Sequence, residues 1–203
     1  MMTPPVQFMF DFGSPNAYLA HKVIPGIEAR TGATIAYVPV LLGGVFKATG
    51  NRSPMEAFAG VPAKLAYEAR ERDRFVARHG LTRFAVNPHF PVNTLAIMRG
   101  AVAARRLGLF APYVEAVFAG MWEQGRKMDD PAVIAQTLTA ADLPAAPLMA
   151  LTQDQAVKDE LVASTNAAVQ RGVFGSPSVF VGDELYFGKD RLTDVEAEIL
   201  RRR

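Results

Sequence analysis

Near its start the chain has a short and largely apolar run, and the pattern changes to helical spacing directly after it. Residues 6–12 (VQFMFDF) are aromatic-rich and apolar, which is typical of a buried strand. At residues 13–15 (Gly-Ser-Pro), a serine before a proline predicts the start of a helix that stops near Thr31. Residues 34–40 (TIAYVPV) predict a second strand. The chain therefore begins with a β-α-β unit, which normally has parallel strands and a right-handed crossover.

Helical spacing dominates the middle of the chain. Glycines at 43–44 and at 50 predict a loop after the second strand. Five helix-favouring segments follow this loop. They cover residues 63–78, 94–107, 113–124, 131–141 and 154–170.

The end of the chain returns to strands. Residues 178–181 (SVFV) and 185–187 (LYF) flank a Gly-Asp pair and predict a hairpin, and a last helix is predicted over residues 190–200. The order β-α-β, helices, β-β-α is that of an α/β, thioredoxin-like fold with a large all-helical insertion. We expect residues 1–42 and 172–203 to form a discontinuous thioredoxin-like domain. Residues 43–171 then form the insertion and its connecting helix.

The composition says little about the fold but limits the kinds of chemistry that the chain can perform. The 203 residues carry a net charge of only +2, which gives no reason to expect a nucleic-acid partner. The chain has no cysteine, so any thiol chemistry must use the sulfur of another molecule. Three scattered histidines lack metal-ligand spacing, and we expect no metal. Without a signal-like start or a long apolar window, the expectation is a cytoplasmic protein away from membranes.

Ser14 lies where the first strand meets the first helix, an edge at which open α/β folds place ligands. The end of a helix offers free N–H groups and a partial positive charge, which favour a thiolate. A serine hydroxyl there can also donate a hydrogen bond to sulfur. Alone, however, the position is more simply explained as an N-cap, and this interpretation stays open.

Three further segments offer weaker signals. Ser176-Pro177 precedes the third strand, and a cis proline there would leave the Ser176 backbone free to pair with an extended peptide, although a plain loop proline fits equally. Asp190 fits as a helix cap with cationic neighbours that could meet a carboxylate. Residues 87–91 (NPHFP) form a rigid aromatic loop suited to lining a cleft.

Four segments of the sequence, taken together, match those of a known family. These segments closely resemble the 2-hydroxychromene-2-carboxylate isomerase family, which groups with the kappa-class glutathione transferases and the DsbA-like thioredoxin folds. They are spread over almost the whole chain in the family's order. They are FDFGSPNAYLA (10–20), LLGGVFKATGN (41–51), NPHFPVNTL (87–95) and GVFGSPSVFVGDELYFGKDRL (172–192).

The resemblance implies a glutathione site. In the wider fold the corner carries a Cys-x-x-Cys pair, and those positions are Ser14 and Ala17 here, which excludes disulfide chemistry. Ser14 matches the serine that faces the glutathione sulfur and is the implied catalytic residue. Ser176 and Pro177 match the backbone site and its cis proline.

Other contacts follow from the same match. The implied glutathione-binding residues are Asn51, Lys64, Lys189, Asp190 and Arg191. Of these, Lys64 matches only across a short insertion. The residues that look suited to an aromatic substrate are Lys47, Asn87, Pro88 and Phe90.

The activity implied is a glutathione-dependent isomerisation of 2-hydroxychromene-2-carboxylate, or a related aromatic acid, to trans-o-hydroxybenzylidenepyruvate. A thiolate adds reversibly to a double bond, so glutathione acts as a cofactor that is regenerated. The resemblance also implies a homodimer and a role in the breakdown of naphthalene-like aromatics. Two alternatives stay open at this point: a kappa-type transferase or peroxidase that consumes glutathione, and a non-catalytic, cysteine-free binding module.

Overall fold

The computed structural model describes residues 5–203 and contains one four-stranded mixed sheet in the order β2-β1-β3-β4. Strand β1 (Val6–Phe10) runs parallel to β2 (Ile35–Pro39) and antiparallel to β3 (Ser178–Val181). Strand β4 (Glu184–Phe187) pairs antiparallel with β3 and completes the predicted hairpin. The first and last parts of the chain thus build one sheet, and the helices lie between them in sequence. The thioredoxin-like fold predicted from the order of elements is confirmed.

Helix α1 (Pro15–Thr31) connects β1 to β2, and its start lies where the sequence predicts it. The remaining elements of the described chain are α2 (Leu42–Thr49), α3 (Pro54–Ala57), α4 (Pro62–His79), α5 (Leu95–Arg106), α6 (Phe110–Trp122), α7 (Pro131–Ala140), α8 (Ala145–Leu151), α9 (Gln155–Gln170), a 3-10 helix (Lys189–Arg191) and α10 (Leu192–Arg201). Among residues 5–203, no helix is both long and apolar enough to cross a lipid bilayer.

The loop predicted from Gly43 and Gly44 is wrong, since both glycines lie inside α2. Tertiary contacts outweigh their low helix propensity. The Leu41 N–H donates to Thr165 Oγ1 at 2.9 Å, and Val45 is fully buried beneath the sheet. A side chain at Gly44 would come within 3.2 Å of Thr165, so the glycine permits the close approach of α2 to α9.

Two smaller differences also have local causes. Strand β1 ends at Phe10 rather than at residue 12, because the chain turns there and the Ser14 N–H donates to the Asp11 carbonyl at 3.1 Å. Helix α8 was not predicted. Its seven residues are too few to show a helical period, and one of them, Leu148, is nearly fully buried.

The sheet is covered on both faces, which explains why three consecutive residues of β1, Phe8, Met9 and Phe10, are apolar and buried. Phe8 and Phe10 point into the larger core, where Phe12 and Phe118 pack edge to face with ring centroids 4.8 Å apart. Met9 points the other way, into a smaller cluster beneath α2 and α9. The end of β1 is therefore held rigidly from both sides.

An ion-paired glutamate at the protein surface gives a prediction of how the free energy of unfolding depends on pH. Glu115 lies 2.8 Å from His21 Nε2 and also contacts Lys22, and these partners, His21 foremost, lower the pKa of its carboxyl to about 2. Because the carboxylate is favoured only in the folded state, its stabilisation is complete above pH ~4.5 and is lost as the pH falls toward 2. The side chain is 53% exposed, so we expect the loss to be at most about 1 kcal/mol.

Urea unfolding of the parent and of Glu115→Gln at pH 7 and at pH 3 measures this contribution. The difference in stability between the two proteins should shrink at the lower pH. An equal difference at both pH values would contradict the assignment.

Candidate functional site

The candidate site is the corner between β1 and α1. Ser14 is the N-cap of α1, and its Oγ accepts a hydrogen bond from the Ala17 N–H at 3.1 Å. Pro15 occupies the first helical turn, as predicted. The N-cap role is therefore real, and Ser14 is 5% exposed. Capping uses a lone pair of the oxygen and leaves the hydroxyl proton available to another acceptor.

That proton is directed at the loop before β3. The Ser14 hydroxyl donates to the Ser176 carbonyl at 2.8 Å, joining two segments 162 residues apart in the chain. The Ser176–Pro177 peptide bond is cis, as the resemblance implies. The expectation that the Ser176 backbone is free needs correction, because Ser14 occupies its carbonyl. Within residues 5–203, the Ser176 N–H donates to no group, so this half of the expectation stands.

Sequence reasoning missed a buried acidic residue at this corner. Asp11 is fully buried, and its carboxylate accepts from the Gly13 N–H at 2.8 Å, the Leu42 N–H at 2.7 Å and the Thr94 hydroxyl at 3.1 Å. Burial raises the pKa of Asp11, and the three donors offset part of this rise. The signal was present in the sequence, as one acidic residue within an aromatic run (FMFDF).

The loop at residues 87–91 reaches the corner through aromatic rings. Phe90 lies 5.9 Å from the Trp122 ring, and Trp122 donates from Nε1 to the Phe12 carbonyl at 2.7 Å. Trp122 is therefore a core residue, as the sequence suggested. Pro88 is exposed at the rim of the loop, beside Gly125.

Asn87 is used inside the fold. It is 2% exposed, and its Nδ2 donates to the carbonyls of Met121 and Arg126 at 2.9 and 2.8 Å. Its Oδ1 accepts from the His89 N–H. These bonds hold the loop in place, and the side chain does not reach solvent.

Asn51 lies on the other side of the corner. Its Nδ2 donates to the Phe174 carbonyl at 2.8 Å, two residues before Ser176. Lys47 is exposed in the last turn of α2. Lys64, on α4, forms a 2.7 Å ion pair with Glu68 and is partly exposed. Of this group, the structure ties Asn51 directly to the segment that carries Ser176.

The segment after β4 is anchored to the cis proline, because the Gly188 N–H donates to the Pro177 carbonyl at 2.9 Å. The prediction that Asp190 caps the last helix is wrong. Asp190 lies within the 3-10 helix, Arg191 occupies the cap position of α10, and the Asp190 carboxylate contacts Lys189 Nζ at 2.7 Å. Arg191 is exposed and pairs with Asp194.

Lys189 is not the exposed cation that the sequence suggested. Its side chain is 4% exposed and its Nζ lies 5.1 Å from the centre of the Phe75 ring. The packing against an aromatic face and the pairing with Asp190 together compensate its burial. A cavity of about 270 Å³ lies beside this pair, between α1, α4 and α10.

Together these groups have the chemistry that an anion with a peptide backbone requires. The start of α1 provides partial positive charge and Ser14 provides a movable hydroxyl proton. Ser176 provides an N–H that has no partner among residues 5–203. Since the chain contains no cysteine, it supplies no thiol of its own.

Comparison with known proteins assigns the chain to a family. The profile of the DSBA-like thioredoxin domain matches residues 5–200. The chain belongs to this family. It is also 29% identical over 201 residues to a 2-hydroxychromene-2-carboxylate isomerase of Sphingobium xenophagum, covering 98% of this chain and all of the relative. The human glutathione S-transferase kappa 1 is 25% identical over 206 residues, covering 92% of this chain and 87% of the relative.

Among solved structures, a 2-hydroxychromene-2-carboxylate isomerase superposes on this DSBA-like chain with a TM-score of 0.83 and 28% identity. The match covers 97% of this chain and 94% of that structure. The resemblance drawn from the four sequence segments is thus confirmed over nearly the full length.

Proposed function

We propose that this chain is a glutathione-dependent isomerase that converts 2-hydroxychromene-2-carboxylate, or a related aromatic acid, to the trans-benzylidenepyruvate. The observation that carries the proposal is the Ser14 hydroxyl, held at the start of α1 and 2.8 Å from the Ser176 carbonyl in a chain without cysteine. The relatives named as isomerases support the substrate class.

The described residues fit glutathione as a cofactor. The Ser176 N–H has no partner within residues 5–203 and is suited to a peptide carbonyl. We assign the glycyl end to Asn51, which bonds to the Phe174 carbonyl, and to the partly exposed Lys64, and we assign the amino group to Asp190. For Asp190 to bind that amino group, it must share or exchange its contact with Lys189.

When bound, glutathione would supply a thiolate that adds to the conjugated double bond of the ring-opened substrate, permits rotation about the resulting single bond, and is expelled as the double bond forms again. A free thiol has a pKa of about 8.5, so only a few per cent is ionised at pH 7. Lowering that pKa by one to two pH units requires roughly 1.4–2.7 kcal/mol. A hydrogen bond to a charged acceptor contributes about 1.5–3 kcal/mol and the helix end up to about 1 kcal/mol. The corner is therefore sufficient for the task.

A hydroxyl has one proton, so Ser14 can donate a hydrogen bond to the thiolate only if it stops donating to the Ser176 carbonyl. An N–H of a bound peptide can take its place at that carbonyl, so that no buried acceptor loses its partner. Peptide binding and thiolate stabilisation are in this way coupled through one hydroxyl group. A small thiol without such an N–H should gain less from the site.

The substrate contributes an aromatic ring and a carboxylate. We assign the ring to the side of the corner where Phe90 packs on Trp122. The exposed Lys47 and Arg191 are the proposed partners of the carboxylate, with Pro88 at the rim. Asn87 acts by holding the loop that carries Phe90. We also propose that the enzyme is a cytoplasmic homodimer.

Stoichiometry tests the proposal directly. Purified protein, hydroxychromene carboxylate and a small fraction of an equivalent of glutathione should give many product molecules for each glutathione, with the free thiol recovered at the end. Consumption of one glutathione for each product would instead indicate the transferase chemistry that the similarity to the human kappa enzyme offers as the second candidate. Equal rates with and without glutathione would overturn both.

A further inference from the structure

Asp11 connects four segments at the corner: the start of α1, the start of α2, the segment before α5 and the loop that carries Ser176. Besides the three donors to its carboxylate, its carbonyl accepts from the Ser14 N–H at 3.1 Å and its N–H donates to Ser176 Oγ at 3.1 Å. One residue thus bonds directly to Ser14, which is proposed to face the thiolate, and to Ser176, which is proposed to pair with the peptide backbone.

The hydrogen-bond partners of the Asp11 side chain are matched by a carboxylate and not by an amide. Its three partners are two backbone N–H groups and a hydroxyl, all of them donating, and they are shared between two oxygens. Asparagine has a single acceptor oxygen, so its NH₂ group would face at least one of these donors. A buried N–H would then lose its partner.

The backbone beside Asp11 is tightly packed against Thr94. A side chain at Gly13 would lie 2.9 Å from Thr94 Cγ2 and 3.3 Å from Asp11 Oδ1. Within residues 5–203, neither lysine nor arginine forms an ion pair with Asp11. A buried carboxyl group held by hydrogen bonds alone costs stability, and such groups are concentrated at functional sites.

We propose that Asp11 is the positioning residue of this site, fixing the Ser14 corner, the start of α2 and the segment before α5 in the one arrangement that presents Ser14 to a thiolate and Ser176 to the peptide that carries it. It acts through Ser14 and touches no ligand itself. The inference rests on the proposed function for its effect on sulfur. Its geometric part is independent of that function.

Thr94 provides the means to test it without removing the carboxylate. Thr94→Val deletes the hydroxyl donor at nearly constant shape, and Thr94→Ser retains that donor. Thr31→Val is the matched control, because Thr31 is also buried and hydrogen-bonded but lies at the far end of α1. Asp11→Asn is the stronger variant where it folds.

Two measurements are made on each protein. The first is the pKa of bound glutathione, from the ultraviolet absorbance of the thiolate. The second is amide hydrogen exchange at Gly13 and Leu42 without glutathione. We expect Thr94→Val and Asp11→Asn to raise the thiol pKa by roughly one pH unit and to speed exchange at both amides about tenfold. Thr94→Ser and Thr31→Val should leave both unchanged.

The outcomes separate the two proposals. An unchanged thiol pKa with only a lower melting temperature would show a purely structural role for Asp11. A lower thiol pKa would show that its negative charge, rather than its positioning, is what sulfur senses. Either result overturns the inference. If the parent binds no glutathione, the proposed function fails, and the exchange rates alone decide whether Asp11 fixes the corner.

Discussion

The Ser14→Ala variant is expected to isomerise its substrate with a kcat/KM about 10 to 100 times below that of the parent chain, because a hydrogen bond to a charged sulfur contributes about 1.5–3 kcal/mol. Glutathione should still bind, since the Ser176 N–H, which donates to no group of residues 5–203, is unaffected. The pKa of the bound thiol should rise toward its value in water. Initial rates at saturating glutathione, together with an absorbance titration of the thiolate, measure both effects.

This variant also removes the N-cap of α1, so part of any loss could come from stability. Loss of a capping side chain costs about 1 kcal/mol. Asp154→Ala is the matched control, because Asp154 caps α9 with a 2.7 Å bond to the Ala156 N–H and is exposed. The control should show a similar loss of stability and parent kcat/KM. A Ser14→Ala variant with parent kinetics would support the non-catalytic binding module and remove Ser14 from the mechanism.

The second large effect concerns the aromatic support of the same corner. Trp122 is 1% exposed, so Trp122→Ala should lower the free energy of unfolding by about 3–5 kcal/mol. Trp122→Phe retains a ring but leaves the Phe12 carbonyl without its 2.7 Å donor, at a cost of about 1–3 kcal/mol. Because Trp122 is the single tryptophan, unfolding must be followed by circular dichroism rather than by fluorescence.

An exposed aromatic residue supplies the comparison. Tyr67 on α4 is 50% exposed, and Tyr67→Ala should stay within about 0.5 kcal/mol of the parent. Parent stability in Trp122→Phe would show that the carbonyl of Phe12 finds another partner. In that case the link from Phe90 through Trp122 to the corner would not be needed to hold it.

Most of the secondary structure could be predicted from local signals. The Ser-Pro pair at residues 14–15 set the start of α1, and long amphipathic segments located α4, α5, α6, α7 and α9. The failures occurred where local propensity and tertiary contacts disagree. Two glycines suggested a loop at 43–44, but the packing of α2 on α9 makes it a helix. Asp190 has the chemistry of a cap, yet its carboxylate pairs with Lys189 instead.

By itself, the sequence determined the order of elements, the absence of any thiol in the chain, and a serine at the start of the first helix, because each of these depends on neighbouring residues or on composition. Tertiary structure alone decided which atoms meet at that serine. The Ser176 carbonyl comes from 162 residues away, and the donors to Asp11 come from α2 and from the segment before α5. A single sequence does not encode such pairings as a local pattern, since they depend on how the strands order and how the helices pack.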